Sequence, residues 1–356
     1  MSGTSGDCLY HAVTIGADGT KKLTLDGNLF LAPIAGYSDR AFRSLCVEYG
    51  ASMCTTEMVS AEALTRGSSK TEELMARAPA EKVYTVQIFG GNADVMARGT
   101  KLVLERTDCN CIDINGGCPV PKIIKSGAGS MLTKEPDRLF SIVKAVKQAV
   151  GDYAKEHPER GNIPVTIKIR SGWDATHMTW KETVVAALEA GADALTLHAR
   201  TRAQGYEGVS DWNILAQVVQ MVDGRIPVFG SGDAHSPETA RDMLVQTGVD
   251  GVMFARGAMG DPFLFKRTRD FLTTGSYEQE PLEERLQAGF RELALNVEYK
   301  GEKGACLDMR KKFCAYSSGI RGGGQLRKQV VAALTVEDYR TIFAPYMSCI
   351  KTDTSV

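Results

Sequence analysis

One cysteine stands in a glycine-rich stretch that directly follows a predicted strand. The stretch reads DINGGCP and covers residues 113–119, which places Cys118 after two glycines. Small neighbours leave a thiol accessible, and a neutral thiol with a pKa of about 8.5 is a usable proton donor at neutral pH. A cysteine in a turn is also commonly a small buried hydrophobic residue. The residues alone therefore leave a catalytic acid and a packing role open for Cys118.

Polar side chains lie within or at the ends of three further predicted strands. Gln87 ends one strand, Lys168 interrupts the apolar run of another, and His198 ends a third, followed by Arg200 and Arg202. A lysine inside a barrel requires an anionic or electron-rich partner, unless its side chain extends out of the strand end to solvent. A histidine alone is commonly a hydrogen-bonded core residue. Next to two arginines at a strand end, His198 favours contact with a ligand.

Two glycine-rich stretches follow the last two predicted strands. They read FGSGD over residues 229–233 and FARG over residues 254–257. Loops at these places in α/β barrels often bind phosphate through backbone N–H groups. We expect Gly230, Gly232 and Gly257 to let a phosphate approach the backbone, with Arg256 beside it. A phosphate corner, polar groups for a flat ring and a thiol together predict a flavin mononucleotide (FMN) site.

An alternation of short apolar runs with helical stretches positions these residues. Eight runs read as strands, at residues 29–33, 51–56, 83–89, 111–115, 164–170, 192–198, 225–230 and 250–256. Eight such units predict a (β/α)8 TIM barrel, in which reactive residues lie at the carboxyl ends of the strands. A doubly wound sheet is the rival fold, but no GxGxxG turn follows the first strand.

The strand pattern stops near residue 265, and the segment from 280 to 343 reads as helices. We therefore predict an α/β protein with a small C-terminal helical domain. The predicted parts are an N-terminal extension at 1–24, a catalytic barrel at 25–270, a helical domain at 271–345 and a tail at 346–356.

The net charge conceals an uneven distribution. The 356 residues contain 42 Lys plus Arg and 43 Asp plus Glu, a net charge of -1. Residues 303–330, however, contain seven Lys or Arg and one Asp, a net charge of +6. A basic segment beside an acidic body is typical of a module that meets phosphates.

The sequence argues against a membrane protein and against a metal site. We find neither a membrane-spanning apolar run nor a secretory leader. Nine cysteines without a paired CxxC framework indicate reduced thiols. The Cys109–Cys111 pair has no second pair or histidine nearby to complete a zinc site. We expect a cytoplasmic protein without metal, with no obligate protein partner and a monomeric state.

The motifs together resemble the flavin-dependent tRNA-dihydrouridine synthases, especially the bacterial branch once named after a nitrogen-regulation protein. The resemblance covers residues 31–327. Its pieces are LAPIAGYSDRAFR (31–43), VQIFG (86–90), DINGGCP (113–119), IKIRSGW (167–173), LHARTRAQGYEG (197–208), GSGD (230–233), GVMFARGAMGDPFLF (251–265) and MRKKFCAYSSGIRGGGQLR (309–327). Each piece is weak alone, but eight in the same order are specific.

The resemblance implies a reaction and its cofactors. NADPH, or NADH, reduces tightly bound FMN, which delivers hydride to C6 of a D-loop uridine in tRNA while Cys118 protonates C5. The implied cofactor-binding residues are Pro33, Ile34, Ala35, Gln87, Lys168, His198, Ser231, Gly232, Asp233, Ala255 and Arg256. The implied substrate-binding residues are Asn115, Arg200, Arg202, Tyr206, Arg310, Lys311 and Arg327. Lys312, Arg321 and Lys328 are further basic candidates for tRNA contact.

Three positions depart from the family pattern. Gly116 replaces an apolar residue, Ser231 an asparagine and Ala255 a glycine. None of these changes removes a charge, so we expect FMN binding to survive.

Two other functions stay open at this point. One is a flavin reductase of small molecules, which would have no use for the basic segment. The other is a tRNA-binding protein with structural FMN, which would not need Cys118.

Overall fold

The chain opens with a hairpin that covers one end of a barrel. The computed structural model describes residues 8–353, so the first seven residues of the predicted extension and the last three of the predicted tail lie outside it. Strand β1 (Val13–Ile15) pairs antiparallel with β2 (Leu23–Leu25). The apolar side chains of this hairpin belong to one buried cluster with Met53 and Ala194, each the first residue of a barrel strand. The hairpin therefore closes the end at which the strands begin.

A parallel sheet closes on itself behind this hairpin. Its strands are β3 (Leu29–Leu31), β4 (Met53–Thr55), the short β5 (Val59–Ser60), β6 (Tyr84–Phe89), β7 (Cys111–Gly116), β8 (Val165–Gly172), β9 (Ala194–Thr201), β10 (Val228–Ser231) and β11 (Gly251–Phe254). β11 pairs with β3, and β4 pairs with both β3 and β6, which closes the barrel, while β5 only adds an edge to β6. The predicted TIM barrel is confirmed.

Helices surround the barrel. They are α1 (Arg40–Glu48), α2 (Ala61–Thr65), α3 (Ser69–Glu73), α4 (Ala93–Arg106), α5 (Pro121–Lys125), α6 (Met131–Lys134), α7 (Pro136–Glu156), α8 (Trp180–Glu189), α9 (Trp212–Val222), α10 (Pro237–Thr247) and α11 (Leu264–Thr274), with a short 3-10 turn at Arg256–Ala258. Helix α10 shows how local residues determine where a helix begins and ends. Ser236 and Thr239 form a capping box, and Gly248 ends the helix with a φ of 69°.

Alternation along the strands sorts side chains between the helices and the barrel interior. In β7, Ile112 and Ile114 belong to the apolar core, whereas Asp113 and Asn115 form hydrogen bonds to polar side chains of neighbouring strands. Since side chains alternate along a strand, polar residues two apart share the interior face. The same pattern in β8 directs Lys168 to that face.

The C-terminal region is helical. It contains α12 (Leu282–Tyr316), α13 (Gly323–Ala332) and α14 (Val336–Asp353). Gly301, with a φ of 76°, divides α12 into two segments. Phe313 and Tyr339 lie in the core of this region, and Leu45 and Phe263 of the barrel part join the same cluster. Shared apolar packing therefore attaches the helices to the barrel. No helix among residues 8–353 is long and apolar enough to cross a membrane.

A buried ion cluster also joins the two parts. The Lys312 ammonium on α12 donates to Asp39, at the start of α1, over 2.7 Å, and to the Glu292 carboxylate. Glu292 also accepts a hydrogen bond of 2.8 Å from the Tyr316 hydroxyl. Both Lys312 and Glu292 are fully buried. The cluster fixes α12 against the loop that follows the first barrel strand.

Candidate active site

A cavity of about 280 Å³ opens at the carboxyl ends of the barrel strands. Sequence motifs from many parts of the chain meet in its wall, because each barrel strand ends at this face. The predicted residues that line it are Pro33, Ile34, Ala35, Gln87, Asn115, Cys118, Lys168, His198, Tyr206, Ser231, Gly232, Asp233, Ala255 and Arg256. The predicted residues that lie away from this wall are Arg200, Arg202, Arg310, Lys311 and Arg327.

Cys118 lies in the loop between β7 and α5. Its backbone N–H donates to the Asn115 side-chain oxygen over 3.0 Å, which fixes the loop to the end of β7. Partial burial raises the pKa of the Cys118 thiol, against opposing effects of the Val120 backbone and Arg170. The thiol therefore stays protonated at neutral pH, which suits a proton donor and not a nucleophile.

Lys168 supplies a positive charge to the cavity wall. Burial, and then the nearby Arg170, lower the pKa of Lys168 to about 8, although Asp113 opposes this. Among the described residues we find no ion pair or side-chain hydrogen bond for the Lys168 ammonium. A cation held at a cavity wall without a partner is positioned to bind an electron-rich group of a ligand.

His198 lines the same cavity as a neutral side chain. Burial, and then the charges of Lys168, Arg170 and Arg200, hold the pKa of His198 well below its usual value. The nitrogen Nε2 lies 3.4 Å from the Arg200 guanidinium. A neutral imidazole among cations serves ligand contact without adding a further charge.

Arg200 lies beneath the cavity and not in its wall. Its guanidinium is buried and donates to both carboxylate oxygens of Asp233 over 2.8 Å. Burial opposes ionisation of Asp233, but the Ser210 N–H and Arg200 outweigh it and lower the pKa of Asp233. This corrects the expected contact between Arg200 and substrate, because Arg200 instead neutralises and positions Asp233.

Arg256, the cation expected to bind the phosphate, lines the cavity. Arg200 balances the charge of Asp233. Arg256 is half-exposed at the cavity and lies 3.5 Å from the same carboxylate. Gly232 and Asp233 turn the chain with φ values of 109° and 61°. A side chain at Gly232 would meet Ser210 Oγ at 2.5 Å, so glycine is required for this turn.

The structure gives two other glycines a different role from the expected one. A Cβ on Gly230 would lie 2.5 Å from Met243 Sδ, on the helix side of β10. A Cβ on Gly257 would lie 2.6 Å from the carbonyl oxygen of Ala234. Both glycines therefore allow close packing within the protein, and the expectation that they clear space for a phosphate is corrected.

Aromatic and cationic side chains form the rim of the cavity. The Tyr206 ring is 58% exposed, with the Arg256 guanidinium 4.7 Å and the Arg170 guanidinium 5.7 Å from its centre. Farther out, the Arg202 guanidinium lies 4.7 Å from the centre of the Trp173 ring. Such surfaces are suited to stacking with bases and to contact with phosphates.

The basic helical residues fall into three environments. Lys311, Arg321, Arg327 and Lys328 are exposed. Arg310 is half-buried and donates to the Ala333 carbonyl oxygen over 2.9 Å. Lys312 is buried in the ion cluster, so its expected contact with tRNA is corrected. The Nζ of Lys311 is 3.1 Å from where a Cβ on Gly36 would stand, and Gly36 follows Ala35 of the cavity wall.

Two polar residues on the barrel strands of the site were not assigned a role from the sequence. Arg170 lines the cavity and donates to the Gly117 carbonyl oxygen over 2.9 Å, and Asp113 is buried beneath it. Both lie two residues from an assigned residue on the same strand, Lys168 and Asn115 respectively. Alternation along a strand places such neighbours on one face, and this signal would have found them.

Comparisons with known proteins identify relatives across nearly the whole chain. The family model "Dihydrouridine synthase (Dus)" matches residues 30–346. A probable tRNA-dihydrouridine synthase of Treponema pallidum is 50% identical over 344 residues, which cover 96% of this chain and 98% of the relative. The tRNA-dihydrouridine synthase B of Pseudomonas putida is 36% identical over 305 residues, with 85% and 86% coverage.

Solved structures share the fold at low sequence identity. A DHODH from Eimeria tenella, crystallised with ferulenol, superposes with a TM-score of 0.52 and 15% identity over 72% of this chain and 82% of that one. A histamine dehydrogenase from Rhizobium superposes with a TM-score of 0.55 and 15% identity over 81% and 51% of the two chains. These similarities support the barrel architecture.

Proposed function

Because the chain belongs to the dihydrouridine synthase family, it is a flavin-dependent oxidoreductase that reduces uridine in tRNA, and we propose that it works with FMN and NADPH on a D-loop uridine. Cys118 is the proposed proton donor. The activity follows from the family, whereas the identity of the cofactor, the reductant and the site residues are the proposal.

The chemistry of the cavity wall fits FMN. Lys168 and Gln87 would hold the polar edge of the flavin ring. The Lys168 ammonium is unpaired in the part of the chain that the structure describes, which supports this assignment. Arg256, with the turn at Ser231 and Gly232, would hold the phosphate. Pro33, Ile34 and Ala35 present the apolar part of the wall, and His198 the neutral imidazole. NADPH is proposed as the reductant on the family resemblance alone.

When bound and reduced, FMN supplies the hydride that saturates C6 of the uracil ring. The same double bond must receive a proton at C5, which the Cys118 thiol donates. The raised pKa of Cys118 keeps this proton in place until the base is reduced. The Cys118 thiolate that remains then takes up a proton from solvent. Asn115 holds the loop that carries Cys118 and lines the space for the base.

A uridine within folded tRNA must leave its stack to reach this cavity, which costs a few kcal/mol. Contacts with the tRNA backbone offset that cost. We assign them to Lys311 at the rim, to Arg327 on α13 and to Arg202 beside Trp173, while Tyr206 lies at the mouth. On this assignment residues 25–270 form the catalytic domain and residues 271–345 the tRNA-binding domain.

The observation that carries the proposal is that the Cys118 thiol and the Lys168 ammonium, which has no partner among the described side chains, line one cavity of this family's barrel. The test uses purified protein, an unmodified tRNA transcript and NADPH. We expect flavin absorption from the protein, and a D-loop fragment that gains the mass of two hydrogens in mass spectrometry. A protein that cannot be loaded with FMN would refute the cofactor, and an unmodified D-loop would refute the site of reduction.

A further inference from the structure

A chain of hydrogen bonds runs from the barrel interior to the Cys118 loop. The Thr166 hydroxyl donates to Asp113 Oδ1 over 2.6 Å, and Gln87 Nε2 donates to Asp113 Oδ2 over 2.7 Å. Asn115 Nδ2 then donates to Gln87 Oε1 over 2.8 Å. Finally, the Cys118 N–H donates to Asn115 Oδ1 over 3.0 Å. Four side chains from three strands therefore connect a buried carboxylate to the backbone of the proton donor.

The two ends of this chain determine its direction. At one end the Asp113 carboxylate can only accept hydrogen bonds, and at the other the backbone N–H of Cys118 can only donate. Each of the two amides between them has one oxygen and one nitrogen. Gln87 must therefore present its nitrogen to Asp113, and Asn115 must present its oxygen to the Cys118 loop. No other arrangement of the two amides satisfies every contact.

We propose that Asp113 is a positioning residue that orients the Gln87 and Asn115 amides and so holds the Cys118 thiol in place. This inference rests on the proposed function, in which Cys118 donates the proton. Asp113 is 4% exposed and does not line the cavity, so it acts through its neighbours. This role differs from that of Gln87 and Asn115, which line the cavity and would contact a ligand directly.

Replacing Asp113 by asparagine reverses one end of the chain. With Thr166 still donating to its oxygen, Asn at position 113 presents an NH₂ group to the NH₂ group of Gln87. Rotation of the Gln87 amide moves the conflict to Asn115, and rotation of Asn115 removes the acceptor of the Cys118 N–H. If the new amide instead turns its NH₂ group to Thr166, the Thr166 hydroxyl must accept, and its own proton is left with the Cys111 sulfur, 3.7 Å away. Every arrangement therefore loses or weakens one buried hydrogen bond, which is costly. The lost hydrogen bond costs least at the Cys118 loop, because Cys118 is less buried than Gln87, Asp113 and Asn115.

The test compares three variants of the flavin-loaded protein. Asp113→Asn reverses the chain. Thr166→Val is the matched control, because it removes a bond to the same carboxylate without reversing any amide. The double variant Gln87→Glu/Asp113→Asn exchanges acid and amide and restores the donor order from position 113 to Cys118.

Alkylation of Cys118 by iodoacetamide, followed by peptide mass spectrometry, reports the loop directly. We expect alkylation about fivefold faster or more in Asp113→Asn, and turnover on tRNA reduced about tenfold or more with KM changed less than about twofold. Thr166→Val should stay within about twofold of the wild type on both measures. The double variant should regain wild-type alkylation, whatever the exchange at Gln87 does to the flavin.

Several results would overturn the positioning role. They are an Asp113→Asn variant with wild-type alkylation and turnover, equal losses in Asp113→Asn and Thr166→Val, and a double variant with rapid alkylation. If Asp113→Asn does not fold, a folded double variant with a protected thiol supports the proposal and an unfolded one refutes it. Absence of dihydrouridine formation by the wild type would instead refute the proposed function, since alkylation needs no tRNA.

Discussion

Replacement of Lys312 by methionine tests whether the buried ion cluster holds the helical region on the barrel. Methionine keeps the length of the side chain but removes the ammonium that bridges Asp39 and Glu292. Glu292 would then be a fully buried carboxylate, and among the described side chains only the Tyr316 hydroxyl would donate a hydrogen bond to it. The free energy of unfolding should therefore fall.

The size of the loss follows from what remains around each carboxylate. Removing one partner of a buried ion pair costs about 3–5 kcal/mol. Asp39 keeps Lys300, at 3.3 Å, and the Phe42 N–H, at 2.9 Å, so it stays partly compensated. We therefore expect about 3 kcal/mol, at the lower end of that range. A chain of this length has an unfolding entropy of about 0.7 kcal/mol/K, so the Tm should fall by about 4 °C.

The loss should also depend on pH. Burial raises the pKa of Glu292, and the charge of Lys312 opposes this. A carboxyl with a raised pKa in the folded state destabilises the fold as pH rises above its unfolded value. Without Lys312 the pKa of Glu292 rises further, so the stability difference from the wild type should be larger at pH 8 than at pH 5.5.

Thermal unfolding followed by circular dichroism, at one fixed flavin concentration, measures these effects. The double variant Lys312→Met/Glu292→Gln is the control, because it also removes the uncompensated charge and should recover part of the lost stability. An unchanged Tm for Lys312→Met, or a double variant no more stable than the single one, would refute the assignment of the cluster as a buried anchor.

Three further predictions concern catalysis and binding. Cys118→Ala should keep its flavin but lose about 100-fold or more in turnover on tRNA, and unchanged turnover would exclude Cys118 as the acid. The affinity of the apoprotein for FMN should fall by up to about tenfold from pH 7 to 9 as Lys168, with a pKa of about 8, loses its charge, and Lys168→Met should abolish this dependence. Lys311→Ala should weaken tRNA binding and reduce the slope of log affinity against log salt by about 0.7–0.9, whereas Lys312→Met should leave the slope unchanged. Equal slopes for Lys311→Ala and the wild type would place the tRNA elsewhere.

The sequence predicted the barrel because its signals are local. Each strand is a short apolar run followed by a turn, and the polar residues at strand ends meet wherever eight such units close. That is why the cavity collects Gln87, Cys118, Lys168 and Arg256 from four separate motifs. The hairpin β1–β2 was missed because two three-residue strands outside the repeat give too short a signal.

Residues whose role depends on a distant partner could not be predicted in the same way. Arg200 is separated by 33 residues from Asp233, and Lys312 by 273 residues from Asp39. In the sequence each reads as a free cation available for a phosphate. Burial decides otherwise, since a charge removed from water requires an opposite charge beside it. Likewise Gly230 could not be assigned to helix packing without the position of Met243.

Adjacent residues on α12 show how the fold places two cations of one basic segment in different environments. Lys312 points inward to Asp39, at the start of α1, and Lys311 lies beside Gly36 in the preceding loop. Pro33, Ile34 and Ala35 of this same loop line the cavity. A displacement of α12 would thus move the Lys311 charge relative to the cavity mouth. If Lys311 holds a tRNA phosphate as proposed, the buried anchor would therefore fix the distance between that phosphate and the base that enters the cavity.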